Sequence, residues 1–296
     1  KNLLLKSVTK LYNYTRMDRK EQTIMSKYKM IAFDMDGTLL NSQKKVRKET
    51  LDAINKAFDG GKEVILCTGR ALAELEEYIE LIPRMRYMVM TSGAIVYDIK
   101  EKKDIYANEI SVEIMDEILN YIKDKDIMPQ MITKESIVQK KDYEHMEDFH
   151  MGIYKPMFNE VAVKVENMLD FYNDNKQPVA KLNLYHTSSE DREETRKAIE
   201  GLDVVLANAE TTSLEVSAKN TTKGLGLQKL CEHLGISIDE AIAVGDADND
   251  LDVLKRAGLS VAMGNANDNV KKIADVVVED CDHDGCVQAI EKYLLL

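Results

Sequence analysis

Met30-Ile31-Ala32-Phe33 runs directly into Asp34-Met35-Asp36-Gly37-Thr38. A short apolar run closed by a glycine turn reads as a buried strand ending in a loop. Two carboxylates therefore leave one strand end two residues apart. In open α/β sheets, ligands bind at the carboxyl ends of the strands. Carboxylates crowded there repel one another and call for a cation, a shared proton or a metal-bound phosphate. The pattern recurs about two hundred residues later, where Ala241-Ile242-Ala243-Val244 opens into Gly245-Asp246-Ala247-Asp248-Asn249-Asp250. Two acidic strand ends predict one magnesium site assembled by folding.

The chain between and around them alternates strands and helices. Strands are expected at Lys29 to Asp34, Lys62 to Cys67 and Tyr87 to Met90. Helices are expected from Arg47 to Asp59, ending at Gly60-Gly61, and from Ala71 to Leu81, ending before Pro83. After Leu214 the rhythm resumes, with a helix over Thr222 to Leu234 and buried strands at Ala241 to Val244, Leu259 to Ala262 and Val276 to Val278. This alternation predicts an α/β fold, a doubly wound parallel sheet with helices on both faces. From about Tyr97 to Thr212 strands and helices mix without that order, which predicts an inserted α+β unit. The expected division is a core from residues 27–96 and 213–296, an insertion over 97–212, and an N-terminal extension over 1–26. That extension, basic and polar, is expected to be non-native or disordered and to stand outside the fold.

Composition narrows the function. A chain of 296 residues with 44% hydrophobic content is long and apolar enough for proper cores. A formal net charge of −12 argues against a nucleic-acid backbone or an anionic membrane as partner. No segment approaches the apolar length needed to span a bilayer. The four cysteines, Cys67, Cys231, Cys281 and Cys286, form no CxxC pair and read as thiols of a cytoplasmic protein. No obligate protein partner is expected.

Asp34 with Asp36, Thr68, Lys223, and Asp246 with Asn249 and Asp250 all fall at expected strand ends. Taken singly, Asp36 is a turn residue, Thr68 caps the helix that starts at Ala71, and Lys223 is a solvated lysine. Together they supply what phosphoryl transfer needs: a nucleophile, a proton donor, magnesium ligands and donors for the equatorial oxygens.

These residues resemble the haloacid dehalogenase superfamily of phosphatases. Asp34 to Leu39 looks like its first motif, Cys67 to Arg70 its second, Lys223-Gly224 its third, and Gly245 to Asp250 its fourth. The large insertion between the second and third is similar to the type IIB cap of the Cof-type branch. The resemblance implies that Asp34 attacks phosphorus and Asp36 protonates the leaving oxygen. It implies that Asp34, the backbone carbonyl of Asp36, and Asp246 hold Mg²⁺. Thr68 would bind a phosphoryl oxygen with its neighbour Gly69 assisting. Lys223 would place positive charge between Asp34 and the phosphate, Asp250 would orient Lys223 or a metal-bound water, and Asn249 would donate to the phosphate or hold Asp34. Thr91-Ser92-Gly93-Ala94 departs from the family's usual Asn-Gly-Ala turn, which puts in question a substrate contact at Ser92.

Specificity would then lie in the cap, with His150 and Lys181 as first candidates among His145, His150, Tyr154, Lys155, Lys181 and Asn183. The implied substrate is a small phosphorylated metabolite, a sugar phosphate or a phosphorylated cofactor. Two other readings stay open. One is a phosphotransferase resembling phosphomannomutase. The other is a non-catalytic switch resembling receiver domains, although those carry their phosphorylated aspartate on a middle strand of a much shorter domain.

Overall fold

This computed structural model describes residues 26–209 and 211–296. Among the described residues fourteen strands form two sheets, and the larger has the order β14-β13-β12-β1-β2-β3-β4-β5. Its central strand is β1 (Met30–Phe33), flanked by β2 (Glu63–Cys67) and β12 (Ala241–Gly245). β3 (Tyr87–Met90), β13 (Leu259–Ala262) and β14 (Val276–Val277) continue it on either side, all in parallel. Every residue of β1 and β12 is buried. Parallel strands covered on both faces read as unbroken apolar runs, which is why these were plain in the sequence.

The order fixes where a site must form. From β1 the chain builds outward through β2 and β3 on one side, and through β12, β13 and β14 on the other. The crevice at such a reversal receives ligands in open α/β sheets. Phe33 pairs with Val244 and with Leu66, so Asp34, Thr68 and Asp246 all emerge at the same sheet edge.

The sheet extends beyond its expected parallel core. β4 (Ile95–Asp98) and β5 (Lys103–Ala107) add antiparallel to β3. β5 is the edge strand, half-exposed and rich in charge, so it presents no apolar alternation to read.

The smaller sheet has the order β10-β11-β9-β6-β7-β8. Its strands are β6 (Ile127–Ile132), β7 (Ser136–Gln139), β8 (Ala162–Val165), β9 (Lys181–His186), β10 (Val204–Ala209) and β11 (Ser213–Ala218). Leu182 and Leu184 of β9 pack into one apolar cluster with residues of the helices Val112–Ile122 and Ser189–Ile199. Lys181, Asn183 and Tyr185 alternate with them and take the opposite face. Sheet membership changes after Ala107 and again after Ala218, later than the expected edges at 97 and 212. Antiparallel hairpins cause both shifts, because they continue a sheet without the helix that marks a parallel crossover.

One expected helix is interrupted. The 71–81 segment is a 3₁₀ turn at Leu72–Glu74 followed by a helix at Glu76–Leu81. Asp248–Asp250 is likewise a 3₁₀ turn before the helix Leu251–Arg256. Of the N-terminal extension, only Ser26 lies among the described residues, and its hydroxyl donates to the Tyr293 carbonyl at 2.6 Å. The rest of that expectation lies outside them. Among the described residues no helix is long and apolar enough to cross a membrane.

Candidate active site

Asp34 continues the β1 ladder by one step, its amide donating to the Val244 carbonyl at 3.0 Å. The side chain leaves the strand into the crevice, where it meets Lys223. That lysine opens the helix Lys223–Leu234, whose start is capped by the Thr222 hydroxyl accepting from the Leu225 amide at 3.0 Å. Its ammonium donates to Asp34 Oδ1 at 2.6 Å and to Asp250 Oδ1 at 2.7 Å. All three side chains are buried.

Close packing brings the lysine there. Gly93, at φ 97°, lies against the helix start. A Cβ on it would come within 2.0 Å of the Thr222 carbonyl oxygen. The turn Thr91-Ser92-Gly93, with positive φ throughout, thus docks directly under the lysine-bearing helix.

Asp250 serves two masters. Its Oδ2 accepts the amides of Asp246 at 3.0 Å and Ala247 at 3.3 Å, fixing the loop after β12. Asp246 in turn accepts the Thr38 hydroxyl on Oδ1 at 2.8 Å. Gly37, at φ 83°, is what lets the two loops close on each other. A Cβ there would sit 2.4 Å from Asp246 Oδ2.

The charges do not balance. Oxygens of Asp34, Asp246 and Asp250 lie within 4.8 Å of one another, against the single ammonium of Lys223. Burial pushes Asp34 up to about 7, against the pull of Lys223 and with the push of Asp250. Burial also pushes Asp246 up to about 6, partly offset by Thr38. Burial disfavours the charged form of Lys223, but the two carboxylates outweigh it and raise its pKa. Hard oxygen donors with excess negative charge suit a hard divalent cation. Asp34 and Asp246 have oxygens to offer it, while both Asp250 oxygens are already engaged.

Asp36 stands apart from this group. Its carboxylate is gripped by Arg70, at 3.1 Å from Nε and 2.9 Å from Nη2, and by Lys44 at 2.7 Å. Burial would raise its pKa, but Arg70 and then Lys44 bring it below the ordinary carboxylate value. Thr68 is buried, and its hydroxyl accepts the Arg70 amide at 3.2 Å, a local turn contact; the 3₁₀ turn that follows has Ala71, not Thr68, at its N-cap. Asp248 accepts Asn267 and Asn269, as a surface residue would.

A cavity of about 460 Å³ separates these strand ends from the polar face of the smaller sheet. Asp34, Asp36, Thr68, Gly69 and Asn249 line its floor. Of the cap candidates, Lys181, Asn183 and Tyr154 line its upper part. His145, His150 and Lys155 do not. The structure places His150, expected as a specificity residue, outside the cavity lining. It ends a 3₁₀ turn in left-handed conformation, exposed, with its Nε2 3.0 Å from the Thr187 carbonyl. Lys155 is occupied by Glu147 and the Glu144 carbonyl.

Lys181 reaches across to the larger sheet. It pairs with Glu215 at 2.7 Å and donates to Ser92 at 3.2 Å, and Ser92 donates to Glu215 at 3.4 Å. The unusual serine thus faces the smaller sheet. Sequence reasoning missed Arg70, Lys44, Gln130, Tyr185 and Glu215 as cavity residues. A signal existed for Tyr185, since Lys181, Asn183 and Tyr185 place polar groups at alternate positions of an otherwise apolar strand.

A family model described as haloacid dehalogenase-like hydrolase matches residues 31–290. A 5-amino-6-(5-phospho-D-ribitylamino)uracil phosphatase, YcsE of Bacillus subtilis (strain 168), is 30% identical over 271 residues, spanning 90% of this chain and 96% of the relative. A phosphoglycolate phosphatase of Methanobrevibacter smithii is 28% identical over 90% of this chain and 98% of its own. Among solved structures, TM0651 from Thermotoga maritima superposes with a TM-score of 0.77 at 27% identity, covering 90% of this chain and 97% of that one.

Proposed function

This chain belongs to the haloacid dehalogenase-like hydrolases, and on that premise we propose that it is a Mg²⁺-dependent phosphatase of small phosphorylated metabolites. The observation that carries the reading is the buried chain Asp34–Lys223–Asp250 beside Asp246, of which Asp34 lines a cavity large enough for a metabolite. Relatives named for a ribitylaminouracil phosphate and for phosphoglycolate support a small phosphomonoester as substrate. The smaller sheet with its helices acts as the cap, and four free cysteines support a cytoplasmic setting.

Asp34 Oδ attacks phosphorus. The new bond forms as the ester P–O bond breaks, leaving an aspartyl-phosphate and an alcohol. Lys223 keeps Asp34 oriented and offsets charge on the phosphoryl oxygens. Asp36 gives its proton to the departing alkoxide and then takes one from the water that hydrolyses the acyl phosphate. Thr68 and the Gly69 backbone hold the phosphoryl group, and Asn249 donates from the facing loop. Asp34, Asp246 and the Asp36 carbonyl would hold Mg²⁺, which when bound would neutralise phosphoryl charge.

The test is phosphate release from a panel of sugar phosphates, phosphorylated cofactors and p-nitrophenyl phosphate, with Mg²⁺ and with EDTA. Metal-dependent release is expected. Release unaffected by EDTA contradicts the metal assignment, and phosphate passed only to an added sugar acceptor replaces the hydrolase with a phosphotransferase.

A further inference from the structure

Among the described residues the chain passes between the two sheets twice, leaving the larger after Ala107 and returning after Ala218. Any movement of one sheet against the other must bend these two stretches. The returning stretch is short. Ala218 ends β11, Thr222 caps the next helix and Lys223 is its first residue, so five positions separate the smaller sheet from the lysine that grips Asp34. A turn takes up that distance. The Thr221 amide donates to the Ala218 carbonyl at 3.1 Å. Asn220 stands inside the turn at φ 63°, a left-handed conformation that asparagine takes more readily than most residues.

Asn108, on the outgoing stretch, holds this turn from the side. Its Nδ2 donates to the Lys219 carbonyl at 2.9 Å and to the Thr221 hydroxyl at 2.8 Å. A carbonyl only accepts, so the side-chain amide must present its NH₂ there, and both donors are spent on the returning stretch. The Asn108 backbone amide donates to the Ala94 carbonyl at 2.8 Å. Ala94 follows the Thr91-Ser92-Gly93 turn, which packs under the start of the lysine-bearing helix. One half-buried residue thus joins the outgoing stretch, the returning stretch and the turn beneath Lys223. Neither Asn108 nor Thr221 lines the cavity, and Thr221 is buried. Their bonds go to the backbone that delivers the lysine.

Resting on the phosphatase reading above, we infer that Asn108 is a positioning residue for Lys223: it ties both chain crossings into one joint and, through Thr221, fixes the helix start that sets the lysine on Asp34. Without its amide the two crossings bend independently. The turn from Ala218 to Thr221 loses its side support, and the ammonium is no longer held in line with the carboxylate it orients. The joint lies outside the cavity, so its loss acts on turnover and not on substrate affinity.

The experiment measures kcat and KM for p-nitrophenyl phosphate in Mg²⁺ on wild type, Asn108→Ala, Thr221→Val, Thr221→Ser and the combined Asn108→Ala/Thr221→Val variant. Hydrogen exchange read by mass spectrometry follows the amides from Lys219 to Gly226. Asn108→Ala and Thr221→Val are each expected to lower kcat at least about tenfold with KM within about twofold of wild type, since misplacing an orienting group costs chemistry first. The combined variant is expected to lose no more than the worse single one, because both cut the same link. Thr221→Ser keeps the hydroxyl and is expected to keep the wild-type kcat. Exchange from Lys219 to Gly226 is expected to quicken in Asn108→Ala and Thr221→Val, and not in Thr221→Ser. Thr221→Val against Thr221→Ser carries the test where Asn108→Ala does not fold. An active wild type with kcat unmoved in the folded variants, a loss confined to KM, or losses that multiply in the combined variant overturns the joint and leaves the phosphatase standing. No turnover of any compound by wild type overturns the phosphatase reading and the role of Asn108 with it.

Discussion

Lys223 and Asp34 lie 189 positions apart in the chain and meet at 2.6 Å in its interior. The contact joins the start of a helix to the end of a central strand, and Asp250 closes the lysine from the other side. One ammonium thus holds two buried carboxylates from different loops.

Removing that ammonium is expected to damage fold and activity together. Lys223→Met leaves Asp34 and Asp250 buried without their counter-charge. Breaking one side of a buried pair costs about 3–5 kcal/mol, and losing a charge aimed at the phosphoryl group costs about 10²–10³ in kcat. Thermal unfolding and steady-state kinetics on the purified variant check both. A variant as stable as wild type contradicts the charge balance described.

Protons and Mg²⁺ should compete at this site. Asp34 and Asp246 have folded-state pKa values raised to about 7 and about 6. The folded state therefore holds more protons than the unfolded one between the ordinary carboxylate range and about pH 7. Stability of the metal-free protein falls as pH rises through that window. Mg²⁺ needs both groups ionised, so its effect runs the other way. Thermal melts with Mg²⁺ and with EDTA should show a larger stabilisation by Mg²⁺ at pH 7.5 than at pH 5. Equal shifts at both pH values contradict the assignment of these carboxylates as ligands.

Arg70 sets the charge state of the proposed acid. Its guanidinium is the leading influence holding Asp36 below the usual carboxylate range, with Lys44 adding to it, against the opposing effect of burial. A general acid works in its protonated form, below its pKa. Arg70→Ala raises the Asp36 pKa and should move the basic limb of the kcat/KM profile to higher pH. A limb that stays in place means that Asp36 is not the acid or that Lys44 alone controls it.

Gly93 supports the site through backbone alone. At φ 97°, and with the Thr222 carbonyl oxygen 2.0 Å from where a Cβ would stand, it admits no side chain without displacing the helix that carries Lys223. Gly93→Ala should destabilise by about 2 kcal/mol or more, beyond the gain in chain entropy that alanine brings, and should lower kcat as Lys223 moves. Denaturant unfolding with parallel kinetics tests it. Unchanged stability contradicts the close approach.

Much of the site was legible because its motifs sit on strands of one kind. Met30 to Phe33 and Ala241 to Val244 are buried on both faces, so each announces itself as an apolar run, and the acidic loops follow directly. Lys223 was legible through its order among the motifs, and Thr222 before it supplied a helix cap. The cap was harder. Gln130, Asn183 and Tyr185 form one network because β6 and β9 pair in a particular register, and no spacing along the chain encodes that. β5 escaped notice because Lys103 and Asp104 open this edge strand and leave only the short stretch Ile105 to Ala107 as apolar signal. His150 is a chemically able residue, but it closes a 3₁₀ turn and does not line the cavity. Arg70 closes the second motif, but only the folded turn brings it to Asp36.

The central claim is that Asp34 becomes phosphorylated. Wild-type protein mixed with excess p-nitrophenyl phosphate and Mg²⁺, then acid-quenched within milliseconds and digested, should yield a phosphorylated peptide containing Asp34. Mass spectrometry should place the phosphoryl group on that side chain, and Asp34→Asn should show none. Turnover with no phosphorylated Asp34 at any quench time, or full activity in Asp34→Asn, would contradict the account.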